Sequence, residues 1–330
     1  SRRPRQLAQT RPHRPAPPPP LRQVQLEHGN PLASAAMEWL RGGWNWPPME
    51  SDPALFQALA QQLLGCSSDT SAVPHQGLLR GNVVPRFHEV FSLDADSADA
   101  IRDARALLIC FHNRPASCGG PAPAAAAVAA ASASSLGEEE ACFVRQVPFL
   151  DGACGIVSLV HALLNADGLL ARHSDAGVPT VPEGPLRGWL EALPQGATSE
   201  QRGRALVGDP GLRAAYRSQA LQGQSRMPVP PCLGLLGPLL LVPYLLFSSC
   251  GVHRPVRMDS HFVCLAASRG RMLLLDGTQA SAQNVGSLEA SDGGAFARRS
   301  LDFVRESLLP SLAQPDTCAI MALTPPEDMS

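Results

Sequence analysis

Hydrophobic positions switch along the chain between helical and strand spacing. In Pro53–Gly65 (PALFQALAQQLLG), Leu55, Phe56, Leu59, Leu63 and Leu64 recur at helical intervals. Asp52 is placed to cap this helix, with Pro53 in its first turn and Gly65 as its stop. Ala106–Phe111 (ALLICF) is short and apolar throughout, the pattern of a buried strand. From Gly155 to Ala166, the apolar residues Ile156, Leu159, Val160, Leu163 and Leu164 predict a buried helix. His261–Ala267 and Met272–Asp276, joined by Ser-Arg-Gly-Arg, predict an apolar hairpin. Ala295–Leu309 predicts an amphipathic helix, and Cys318–Leu323 another strand.

Three stretches break this pattern. Residues 1–44 carry the Pro17–Pro20 run and six arginines in the first 22 positions with almost no apolar periodicity, so they read as a disordered arm. Residues 114–135, mostly Ala with Pro, Ser and Gly, read as an inserted low-complexity loop. A helix is the alternative there, but no large apolar residue is present to anchor it. Residues 228–256 form an apolar insert, and Cys232–Cys250 is 19 residues without a charge. That is long enough for a bilayer, but Pro238 and Pro243 interrupt it. An aberrant insertion is the preferred reading and a membrane span the alternative. What remains is roughly 230 residues, the size of one domain.

Charge changes the picture little: the formal net charge is −2, which gives no argument for nucleic acid or acidic membranes as partners. All 27 basic residues are arginine, so the chain offers no side-chain amine for acylation. The nine cysteines include no CxxC pair and no zinc-type His/Cys spacing, which predicts free thiols in a reducing compartment. The sequence opens on Ser1 rather than methionine, leaving room for a preceding targeting segment. No acidic residue precedes Glu27, as in transit peptides, whereas the proline content argues against the amphipathic helix such a segment needs.

The chemistry centres on Cys154, in Asp151-Gly152-Ala153-Cys154-Gly155, a small-residue turn that opens the buried helix. A helix N-terminus favours negative charge on such a thiol, and small neighbours leave room for a substrate. His161 lies about 10 Å further along the same helix, too far to act as its base, and reads as structural. His261 is the better base. A turn centred on Ser268 and Arg269 sets His261 opposite Asp276, making base and orienting carboxylate cross-strand neighbours.

The segment Phe143-Val144-Arg145-Gln146, followed by Ala153-Cys154-Gly155-Ile156-Val157-Ser158-Leu159-Val160-His161-Ala162, resembles the active-site segment of the ubiquitin C-terminal hydrolases, a family of papain-like cysteine peptidases. Other blocks agree in order. Trp46-Pro47-Pro48-Met49-Glu50-Ser51-Asp52-Pro53 with its helix resembles the family's amino-terminal segment, and Arg86-Phe87 through Phe111 its next stretch. Ser260-His261-Phe262 and Leu275-Asp276-Gly277 resemble its His and Asp motifs. The resemblance spans about residues 45–326 as one catalytic domain, with 327–330 as a tail.

The resemblance implies an α/β (α+β) papain-like cysteine peptidase fold, a central antiparallel sheet flanked by helices with the nucleophile at the N-terminus of a buried helix. It implies Cys154 as nucleophile, His261 as general base and acid, Asp276 as orienting carboxylate and Gln146 as oxyanion donor beside the Cys154 backbone N–H. The implied activity is thiol-dependent hydrolysis of ester, thioester, amide or short peptide adducts at the C-terminal glycine of ubiquitin or a close relative, the expected partner. No cofactor, metal, nucleic acid or membrane partner is expected. A monomer in the cytoplasm, or alternatively the nucleus, is. Gln146 and Cys154 are separated by two residues more than in the family, and Gly152 stands where an asparagine is common. Residues 194–227 resemble the crossover loop that restricts access to the cysteine, and the apolar insert ends just before His261. The acidic run Glu138–Glu140 reads as a solvated loop end, with attraction of an arginine-bearing ubiquitin tail as the alternative. A non-catalytic ubiquitin-binding module that keeps the fold is the competing function, and a hydrolase tethered through 232–250 a third.

Overall fold

The computed structural model describes residues 46–66, 84–112, 122–131, 133–147, 150, 152–170, 180–223, 260–289 and 294–326. The expected arm, apolar insert and tail lie outside these residues. In chain order the elements are α1 (Pro53–Leu63), β1 (Arg86–Val90), α2 (Ala95–Ala100), β2 (Ala106–His112), α3 (Pro123–Ala130), β3 (Ser134–Ser135) and α4 (Cys154–Asn165). They continue as α5 (Pro185–Ala192), α6 (Ser199–Gly208), α7 (Pro210–Ala220), β4 (Ser260–Ser268), β5 (Arg271–Leu275), β6 (Gln283–Ser287), α8 (Ala295–Phe303) and β7 (Ala319–Thr324). No helix among the described residues is long and apolar enough to cross a membrane.

The strands form one antiparallel sheet in the order β1-β7-β2-β4-β5-β6-β3. Each face carries its own core. Along β4, Phe262, Cys264 and Ala266 enter the core shared with α1, α4 and α7, whereas Val263, Leu265 and Ala267 enter the core shared with α8. A strand buried on both faces needs apolar residues at every position, which is why β2 and β4 read as unbroken hydrophobic runs. The helix α1 has the predicted cap: Asp52 accepts from Ala54 N at 2.7 Å and Leu55 N at 3.3 Å. Its Gln57 donates to Pro85 O and accepts from Phe87 N, covering part of the open edge of β1.

Several sequence expectations change. The alanine-rich stretch is not only a loop: Pro123–Ala130 is helical, and Ala124 and Ala127 are buried against the segment following α8. Alanine forms helix readily, and its small side chain lets two backbones pack closely, so no large anchor is needed. The C-terminal helix is regular only to Phe303, then widens to a π turn at Val304–Leu308 and tightens to a 3-10 turn at Leu309–Ser311, where Pro310 cannot supply a helical N–H. The part of residues 194–227 that is described, through 223, is mainly α6 and α7 rather than loop.

The hairpin also differs in register. Arg269 and Gly270, at φ 51° and 71°, form the two-residue turn, so Ser268 faces Arg271 and Cys264 faces Leu275. The expected turn was one residue too early, and His261 and Asp276 are not ladder partners. The resulting slip is two residues, which preserves the face each side chain occupies.

Candidate active site

The helix α4 is buried along its whole length, with Cys154 as its first residue and no side-chain cap at Ala153. Its approach turn is packed against backbone: a Cβ on Gly152 would lie 1.9 Å from Trp46 O. An asparagine at this position is therefore incompatible with the observed packing. The Tyr216 hydroxyl on α7 donates to Gly152 O at 2.8 Å, and its ring meets Trp46 at 5.5 Å between centroids. Cys154 itself is 6% exposed, which suits a thiol reached through a narrow opening.

His261, the second residue of β4, lies beside Phe111 of β2, its register partner, whose ring it meets edge-on at 5.9 Å. Its Nε2 lies 2.7 Å from Asp276 Oδ1. Asp276 follows the last residue of β5 and also accepts from Thr278 N, Thr278 Oγ1 and Gln279 Nε2. Burial alone lowers the imidazole's pKa, but the charge and hydrogen bond of Asp276, with those of Cys154, outweigh it and hold the ring as imidazolium. Burial opposes the Asp276 carboxylate as well, yet His261 and Thr278 keep its pKa below the ordinary range. Cys154, His261 and Asp276 are thus gathered in one buried network, although they belong to a helix, a strand and a strand-following turn.

Gln146 reaches the same neighbourhood by another route. Its backbone N–H donates to Gly277 O at 2.7 Å, directly after Asp276, while its side-chain Nε2 donates to Leu150 O at 2.7 Å. The Gln146–Cys154 connection thus supplies a carbonyl that engages the glutamine amide. The segment before Gln146 is latched to α4. Val144 N donates to His161 Nε2 at 2.9 Å, the Phe143 and His161 rings stack at 5.0 Å, and Asn165 makes two hydrogen bonds to the Cys142 backbone. His161 and Asn165 are four residues apart and share a helix face. Burial pushes the His161 pKa down to about 4, in keeping with the neutral ring that its acceptor role requires.

The acidic run is structural in part. Glu138 accepts from Ser199 N at the start of α6 and pairs with Arg202, while Glu140 pairs with Arg271. Sequence reasoning missed Tyr216, Asn165 and Thr278. Only Thr278 had a local signal, since Asp followed two residues later by a donor is a common turn pattern.

The fold, together with a helix-terminal cysteine beside a buried His–Asp pair, defines a papain-like cysteine peptidase. A model of the family described as ubiquitin carboxyl-terminal hydrolase, family 1, matches residues 75–305, and the chain belongs to that family of cysteine-type ubiquitin C-terminal hydrolases. Among solved structures, the Trichinella spiralis UCH37 catalytic domain bound to ubiquitin vinyl methyl ester is 18% identical with a TM-score of 0.52, over 85% of this chain and 96% of that one. A second structure, Trichinella spiralis UCH37 bound to the same ubiquitin derivative, is 16% identical with a TM-score of 0.51, over 85% of this chain and 82% of that one. At these identities the likeness is one of fold. No curated protein matches the chain.

Proposed function

We propose that this protein is a thiol-dependent deubiquitinase that hydrolyses ester, thioester, amide or short peptide adducts at the C-terminal glycine of ubiquitin or a close relative. The observation that carries the proposal is the buried His261–Asp276 hydrogen bond of 2.7 Å beside a cysteine at a helix N-terminus. In the proposed reaction Cys154 is the nucleophile and His261, oriented by Asp276, moves its protons. The thiolate attacks the glycine carbonyl, and the oxyanion formed is met by the Cys154 backbone N–H and the Gln146 amide. Collapse breaks the bond to the leaving group, which takes its proton from His261. The resulting thioester is then attacked by water, which gives one proton to His261; collapse expels the Cys154 sulfur and releases the free acid, which ionises to the carboxylate in solvent, so that Cys154 and His261 are left as they began. A tail ending in two glycines suits the nearly closed surroundings of Cys154. The location we propose for this reaction is the cytoplasm or nucleus.

A second reading, a ubiquitin-binding module with impaired turnover, is favoured by one observation: the Gln146 amide is held at Leu150 O. Incubation with ubiquitin vinyl methyl ester separates the two. The deubiquitinase forms a covalent adduct on Cys154 that Cys154→Ala abolishes. Folded protein that binds ubiquitin but forms no adduct and hydrolyses no fluorogenic ubiquitin amide is the binding module.

A further inference from the structure

We infer that Tyr216 is a positioning residue for the backbone oxyanion donor at Cys154, acting through the Gly152–Ala153 peptide. The inference rests on the acyl transfer proposed above. That peptide is held at both polar ends: Gly152 O accepts from the Tyr216 hydroxyl at 2.8 Å, and Ala153 N donates to Leu150 O at 2.8 Å. One residue later, Ala153 O accepts from Val157 N at 3.0 Å and begins the helical ladder of α4. Between these fixed points lie the Ala153 torsions, φ −91° and ψ 9°, and they set the direction of the Cys154 N–H. An oxyanion donor acts only when aimed at the position the developing charge will occupy, so a small rotation of this peptide costs rate.

Among the described residues, the Tyr216 hydroxyl is the donor that holds Gly152 O. Tyr216 is fully buried, Gly152 is buried, and Trp46 closes the other side with its ring against Tyr216 and its carbonyl against Gly152. On the helix side, a Cβ on Gly155 would already lie 3.6 Å from the hydroxyl. Burial, reinforced by the adjacent Cys154, pushes the phenol's pKa well up, so the group remains a donor throughout the working range. The fully buried Tyr216 of α7 thereby reaches the reacting centre through the backbone.

Tyr216→Phe keeps the ring and removes the hydroxyl. Two rates separate the roles: hydrolysis of a fluorogenic ubiquitin C-terminal amide, which develops an oxyanion, and alkylation of Cys154 by iodoacetamide, which does not. The expected result is a kcat lower on the order of tenfold, less than the hundredfold or more that loss of an oxyanion donor itself costs, with KM and alkylation rate within about twofold of wild type. An unchanged kcat overturns the inference. So does a parallel loss of alkylation and hydrolysis, by unfolding or otherwise, because Tyr216 then acts on the whole site. A wild-type protein inert toward ubiquitin substrates overturns the proposed function and this inference together, and is recognised because the failure precedes any substitution.

Discussion

The His261–Asp276 pair and the Gln146 amide serve the same cysteine in the proposed reaction, but they are held in different ways. His261 stands on a strand paired on both sides, and Asp276 follows the strand next to it, so sheet geometry brings them together and Thr278 fixes the carboxylate. Gln146 lies on a segment without regular structure, tied by Gly277 at its backbone and by His161 and Asn165 two and four residues earlier. Its amide follows the course of the Gln146–Cys154 connection and meets Leu150 O there. The proposed base is therefore held independently of loop length, whereas the proposed oxyanion donor follows it.

The largest expected effect tests the sheet-borne side. Asp276→Asn replaces the imidazolium's charged acceptor with a neutral amide, and kcat on a fluorogenic ubiquitin substrate falls by a factor on the order of 10³ to 10⁴. A loss below tenfold breaks the claim that this pair is the rigid half of the site. Next, Gln146→Ala lowers kcat on the order of a hundredfold while Cys154 alkylation by iodoacetamide stays near the wild-type rate. An unchanged kcat in that variant means that the bond to Leu150 withdraws the amide from catalysis.

The smallest effect concerns the latch rather than the chemistry. His161 has a folded pKa of about 4, below its ordinary value of 6.5, so the unfolded state binds its proton first as pH falls. Its contribution to stability is present above pH 6.5 and is lost between 6.5 and 4, about 3 kcal/mol in all. His161→Gln is expected to be less stable at pH 7 and to lose less stability across that window. Chemical denaturation at several pH values reads this difference, and parallel pH dependence in the two proteins removes His161 as its source.

Much of the centre of the fold was legible from local pattern. Unbroken apolar runs marked β2, β4 and β5 because these strands are buried on both faces, and Asp52-Pro53 marked the start of α1 because its cap is local in sequence. The helix α3 carries no large apolar anchor for a pattern to reveal, because alanine packs by closeness. The hairpin register was misjudged because either of two adjacent dipeptides could make the turn, and positive φ at both Arg269 and Gly270 decided it.

The same division holds in the site. The order and spacing of Gln146, Cys154, His261 and Asp276 belong to the sequence, as does the placement of Cys154 at a helix start. Tertiary structure decided the rest: that His261 and Asp276 meet without being ladder partners, that the Gln146 amide turns to Leu150, and that Tyr216, far along the chain, holds the peptide before Cys154. The physical reason is range. Helix periodicity, caps and apolar runs are written within a few residues of one another, whereas a hydrogen bond between α7 and the turn before α4 exists only after two segments have packed.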